Sequence, residues 1–262
     1  VPLPQMTTDE IIAVLRRSTL PNILVEGGTD ASIYRWIEKE IGLFNGDIIT
    51  CGGRTALLEI FDRRTEYPNA KTIFLADKDM WLFSKIPTKY NSVIWTEGYS
   101  IENDLLSNSF SIISNLFDEE EKKLFDKIIY SVSKWFAFEV EKYKETGIYP
   151  TFHSVQQIVN KDLRLCENFI KGIHYTEPQE NTFFEVYNQF ILKLRGKTLQ
   201  SAITHILSAP HRKSKYSKEN ILELSLKTNQ LSPPLSKIID MIKYSLANIH
   251  FLKQVSASGD TK

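Results

Sequence analysis

Cysteine is nearly missing from this chain: of 262 residues only Cys51 and Cys166 carry a thiol, with no CxxC pair and no Cys/His cluster. That excludes a disulfide scaffold, argues against structural zinc and fits a reducing compartment. Long apolar runs are missing too. No stretch approaches the roughly 18 consecutive apolar residues of a membrane-spanning helix, and Val1-Pro2-Leu3-Pro4 lacks the charged and apolar regions of a signal peptide, so a cytoplasmic protein is expected. Charge of one sign is not in excess, with 32 Lys+Arg against 32 Asp+Glu; any polyanion binding must come from local charge. Gly196-Lys197-Thr198 has neither the upstream glycine nor the preceding strand of a phosphate-binding loop, which argues against ATP hydrolysis. His153, His174, His205, His211 and His250 show no metal-ligand spacing, and no serine-hydrolase elbow is present.

What is present is a soluble-type composition, 42% hydrophobic and 24% charged, in an alternating rhythm. Residues 9–17 predict a short helix, Ile23-Leu24-Val25 a buried strand, and Ile33, Trp36, Ile37 and Ile41 a helix that Gly42 stops and Thr29 or Asp30 caps. Asp47–Thr50 reads as a second strand, Gly52-Gly53 as a turn or an anion-binding helix start, and Leu57, Leu58 and Phe61 as a second helix. Lys71–Ala76 and Ser92–Thr96 complete a predicted parallel sheet wrapped by helices. From about residue 108 the texture is helical. Leu124, Phe125, Ile128, Ile129, Val132, Trp135, Phe136 and Val140 form one apolar stripe behind the acidic opening Asp118–Glu121. Residues 147–180 are turn-rich, and further helices are predicted at 182–194, 198–208 and 235–253, with residues 256–262 fraying. The division expected is an α/β domain over 1–107 and a helical extension over 108–262.

Carboxylates cluster where such sheets gather reactive groups, at the carboxyl ends of strands. Glu26 ends the first apolar run before Gly27-Gly28, and Asp30 follows four residues later, either turned toward Glu26 or acting as an ordinary N-cap. Asp77 and Asp79 leave the third strand on alternate positions, which predicts that they point the same way while Lys78 points elsewhere. Glu102 and Asp104 follow the fourth strand; Glu102 is the better ligand candidate because Asp104 fits a helix start. Such acids suit a hard divalent cation that keeps waters and substrate phosphate as its other ligands. From Lys193 to Lys218 there are seven Lys or Arg residues and no acid. The tract is either a phosphate-tracking surface or a solvated face. Tyr216 beside it stacks on a base or is structural.

The ordered motifs Val25-Glu26-Gly27 with Asp30, Asp77-Lys78-Asp79 and Ile101-Glu102-Asn103 resemble those of the Toprim fold over about residues 20–106. Leu194-Arg195-Gly196-Lys197-Thr198-Leu199 resembles the basic Gly-Lys segment of overcoming-lysogenization-defect (OLD) nucleases. The whole pattern, a Toprim unit with a helical extension and no ATPase, is most similar to the AriB-like effector nucleases of PARIS anti-phage defence systems. The resemblance implies a Rossmann-like Toprim sheet and a Mg2+-dependent nuclease, with two ions and Mn2+ as a substitute. Glu26 is then catalytic and a ligand, Asp30, Asp77, Asp79 and Glu102 the other ligands, and Lys197 a charge at the scissile phosphate. Arg195, Arg212, Lys213 and Lys215 would contact nucleic acid. Asp30 departs from the glutamate common in OLD-like enzymes, so its shorter arm puts direct coordination in question. The implied partners are an AriA-like ATPase that sequesters the nuclease and senses a phage trigger, a second copy in an active homodimer, and RNA, with tRNA favoured, but no membrane. A DNA nuclease of the OLD-like class and a non-catalytic Toprim binding or scaffold module are the other readings.

Overall fold

A computed structural model of the chain describes residues 5–27, 31–42, 46–228 and 232–259. Strand and helix alternate because the hydrophobic period does. Helix α1 (Thr8–Arg17) opens at Thr7, whose capping box with Glu10 satisfies two N-terminal amides. Strand β1 (Pro21–Val25) is buried along its whole length, as a central parallel strand covered on both faces must be. Helix α2 (Ala31–Ile41) stops where Gly42 adopts φ 83°, a conformation glycine enters at no steric cost. The expected Thr29 or Asp30 cap lies outside the described residues. Strand β2 (Asp47–Thr50), helix α3 (Arg54–Asp62) and strand β3 (Lys71–Ala76) follow, and β4 (Ile94–Trp95) is only two residues long where Ser92–Thr96 was expected.

The sheet is wholly parallel in the order β2-β1-β3-β4, with Val25 opposite Thr50 on one side and Leu75 on the other. It is flanked by helices, an α/β, Rossmann-like arrangement consistent with Toprim. The chain leaves β1 toward β2 on one side and leaves β3 toward β4 on the other. The carboxyl ends of β1 and β3 are therefore the switch point at which such sheets open a crevice. Beneath it, Leu24, Ile37, Leu57, Ile60 and Phe61 are buried, and Phe61 meets Phe74 edge-on with ring centroids 5.1 Å apart.

The remaining helices are α4 (Ile101–Ser114), α5 (Glu119–Thr146), α6 (Val155–Ile158), α7 (Glu167–Gly172), α8 (Glu180–Asn188), α9 (Phe190–Lys193), α10 (Gly196–Leu207), α11 (Lys218–Leu226) and α12 (Pro233–Gly259). α5 begins where the acids predicted, with Asp118 and Glu121 forming a capping box, and its stripe is core from Phe125 to Val140. Leu124 is the exception and is exposed. The predicted 182–194 helix is broken at Gln189 into α8 and α9, and α12 runs past the expected end at 253 into the segment expected to fray. The chain forms two interleaved compact units rather than breaking at 107. One unit holds residues 1–77, 87–96 and 235–262, and so gathers the sheet and most of α12; the other holds 78–86 and 97–234. No helix among the described residues is long and apolar enough to cross a membrane.

Candidate functional site

In the sheet unit, the carboxyl ends of adjacent strands bring two of the predicted acids together. The Asp77 N–H donates to Glu26 Oε1 at 2.8 Å. From the other side, the Gly53 N–H donates to the Glu26 carbonyl at 2.6 Å, and the Cys51 N–H to that of Val25 at 2.8 Å. Gly52 and Gly53 stand at φ 83° and 131°, so the paired glycines serve the turn that lets the backbone fold over Glu26. Asp30 lies outside the described residues. Burial, and then the negative charge of Glu26, push the Cys51 thiol up to about 12, which leaves it protonated and no nucleophile near neutral pH.

The alternation predicted for Asp77 and Asp79 does not hold. Strand β3 ends at Ala76, Lys78 is helical, and Asp79 turns left-handed at φ 47° while its N–H donates to the Tyr99 carbonyl at 2.8 Å. A period of two applies only to extended backbone. Lys78 Nζ donates to the Glu97 carbonyl at 3.2 Å and lies 3.8 Å from its carboxylate.

In the second unit the Ile101-Glu102-Asn103-Asp104 motif divides its labour. Ser100 caps α4 with Asn103 in a capping box, and the Asn103 amide donates to the Ile191 and Leu194 carbonyls at 2.6 and 2.8 Å. Asp104 is fully buried and accepts from the N–H groups of Glu97 and Gly98 at 2.9 and 2.7 Å. Burial pushes its carboxyl up to about 6 against the pull of those two donors. Asn103 and Asp104 are thus the staples of the motif. Glu102 differs: it is only 4% exposed, and its carboxylate makes no hydrogen bond or ion pair among the described residues.

The Gly-Lys segment meets this motif directly. A Cβ placed on Gly196 would stand 2.3 Å from Ser100 Oγ, 2.9 Å from Asn103 Oδ1 and 3.3 Å from Glu102 Oε2. Only a residue without a side chain allows the approach that starts α10 against Glu102, with Lys197 exposed in its first turn. The rest of the basic tract is less uniform in space than in sequence. Arg212 forms an ion pair with buried Glu121 and donates to the Leu116 carbonyl at 3.0 Å, while Lys193 pairs with Glu185 at 2.5 Å. These acids come from elsewhere in the chain, which the local charge count could not register. Arg212 is consequently a structural cation; Lys213 and Lys215 remain exposed. Arg195 donates to the Pro150 carbonyl at 3.1 Å, and its guanidinium lies 5.5 Å from the centre of the Phe152 ring.

A cavity of about 1190 Å³ in the second unit is walled by Lys127, Tyr130, Lys134, Arg164 and His205, among others, and by none of the predicted metal ligands. Among the described residues no three His, Cys, Asp or Glu side chains are grouped closely enough to enclose a metal ion. Compared with known proteins, the chain matches no family model and no curated protein.

Proposed function

We propose that this chain is a Mg2+-dependent Toprim endonuclease that hydrolyses phosphodiester bonds. The observation that carries the reading is the hydrogen bond from the Asp77 N–H to Glu26 Oε1 at the switch point of the sheet, which joins two acidic motifs 51 residues apart. The donor set fits a hard cation: carboxylate oxygens, those of Glu26, Asp77 and Glu102. Glu26 and Asp77 would be the ligands from the sheet unit, with Asp79, Glu102 and Asp30 the further positions the resemblance implicates. When bound, magnesium supplies an acidified water and neutralises phosphate charge. Glu26, fixed by backbone donors on both sides, receives the proton of the attacking water. Lys197, exposed on the first turn of α10, adds positive charge at the phosphate oxygens.

In the same reading the substrate is RNA, with tRNA leading, the active form is a cytoplasmic homodimer, and an AriA-like ATPase holds the nuclease inactive until a phage trigger releases it. The test incubates purified chain with tRNA, single-stranded RNA and duplex DNA, with magnesium or with chelator, beside Glu26→Gln and Asp77→Asn. Magnesium-dependent RNA cleavage lost in both variants is expected. Cleavage of DNA alone selects the OLD-like DNA nuclease, and tight binding with no cleavage selects a scaffold module and refutes the enzyme.

A further inference from the structure

The loop that follows α5 exposes three large apolar side chains within five residues. Gly147 closes the helix in the left-handed region at φ 71°, and beyond it Ile148 is 63%, Tyr149 44% and Phe152 39% exposed. Scattered exposed apolar residues need no explanation, but a contiguous cluster of this kind marks a contact surface. Cations define the kind of contact. Arg195 lies 5.5 Å and Lys218 Nζ 5.9 Å from the centre of the Phe152 ring, the first within the acid-free tract and the second at its end. Glu139, the acid whose field reaches Arg195, is buried rather than on this surface. Arg195 is held in place by its bond to the Pro150 carbonyl, so its fork is aimed before any ligand arrives. Two residues further on stands Lys197.

An aromatic ring with one fixed guanidinium and one exposed ammonium over it takes a base on its face when those cations turn to the adjoining phosphates. Bases inside a duplex are stacked on both faces and cannot use it. We propose that Phe152, with Arg195 and Lys218, is a stacking platform for unpaired bases, so that this protein engages its nucleic acid as a single strand. The inference rests on the nuclease reading for its substrate class and goes beyond it in assigning the strand state and the residue that reads it. A protein partner using the same ring as an apolar anchor is the rival occupant.

The experiment measures fluorescence anisotropy of a 5′-labelled oligoadenylate RNA of about 12 nucleotides, a length on the scale of single-strand sites, against a duplex of the same length. Binding is read in chelator on the Glu26→Gln background, where no hydrolysis intervenes. Phe152→Ala is expected to weaken single-strand binding roughly 5- to 50-fold while leaving duplex binding and the circular-dichroism melt unchanged. Phe152→Trp should bind as well as the parent or better, and Phe152→Leu, which keeps the bulk and loses the π-face, should resemble Phe152→Ala. Lys218→Ala should lower the salt slope by about one unit. Unchanged single-strand affinity in Phe152→Ala, equal losses on single strand and duplex, or full affinity in Phe152→Leu would each overturn the platform. Phe152-independent binding by a chain that still cleaves with magnesium sinks the platform and leaves the nuclease. Phe152-dependent binding by a chain that never cleaves does the reverse.

Discussion

Substituting Gly196 by alanine tests the close approach of the start of α10 to Ser100. Gly196 does not sit in the left-handed region, so its backbone accepts alanine and only space forbids it. The new methyl would meet Ser100 Oγ at 2.3 Å, more than 1 Å inside ordinary contact. Ser100 cannot yield freely, because its hydroxyl donates to Asn103 Oδ1 at 2.8 Å and the same oxygen accepts the Ser100 N–H at 3.1 Å. Overpacking of this kind costs about 1–3 kcal/mol, a broken N-cap adds about 1 kcal/mol, and lost freedom in the unfolded chain returns about 0.5–1 kcal/mol. A net loss of about 2 kcal/mol is expected for Gly196→Ala, read from urea unfolding midpoints. The decisive measurement adds Ser100→Ala, which deletes the obstructing oxygen. Alone it should cost about 1 kcal/mol through the cap, and in combination the two should cost about 1 kcal/mol less than their sum. Strict additivity, within about 0.5 kcal/mol, would refute the claim that the methyl strikes Ser100.

Two further outcomes follow from the buried carboxylates. Asp104 binds its proton more tightly folded, at about 6, than it does from its ordinary value of 3.8, so the folded state holds the extra proton in between. Its contribution to stability therefore falls as pH rises from about 4 to 6 and is level above, a change of about 3 kcal/mol. Urea midpoints across that window should show Asp104→Asn lacking this component relative to the parent chain; parallel pH profiles would rule Asp104 out as its source. Glu121 behaves oppositely: burial raises its carboxyl, but the Arg212 hydrogen bond with the Asp118 N–H and the Arg212 charge outweigh that and hold it below the usual range. Arg212→Ala should cost about 1.5–3 kcal/mol, since the Asp118 N–H and His211 still reach that carboxylate, and adding Glu121→Gln should recover part of the loss; a thermal melt unmoved by Arg212→Ala would contradict the buried pair.

Much of the architecture was legible because burial leaves a period. The α5 stripe, the run Ile23-Leu24-Val25 and the Gly42 stop could each be read from a dozen residues or fewer. The predicted β4 is too long because Ser92 and Val93 belong to the turn after Tyr90, where the Val93 N–H donates to the Tyr90 carbonyl, so pairing with β3 starts only at Ile94. The strand alternation assumed for Asp77 and Asp79 does not apply because a turn at Lys78 ends the regular backbone, and no local residue announces it. Helix α11 lies outside the predicted helices, although Ser217 and Asn220 form its capping box, a local signal that the sequence carries. The staples are another matter. Asn103 reaches the Ile191 and Leu194 carbonyls 88 and 91 residues away, and Arg212 finds Glu121 at a separation of 91, pairings that no local pattern encodes.

The interleaving of the chain has a consequence for its birth. Leu235, Ile238, Ile239 and Ile242 are buried and belong to the same unit as the sheet, yet they are translated only after the whole 97–234 segment. At ribosomal speeds that intervening stretch takes roughly ten seconds, during which the sheet unit lacks those buried apolar residues. Its strand-end acids therefore exist as covalent structure before the last segment of their own unit is made.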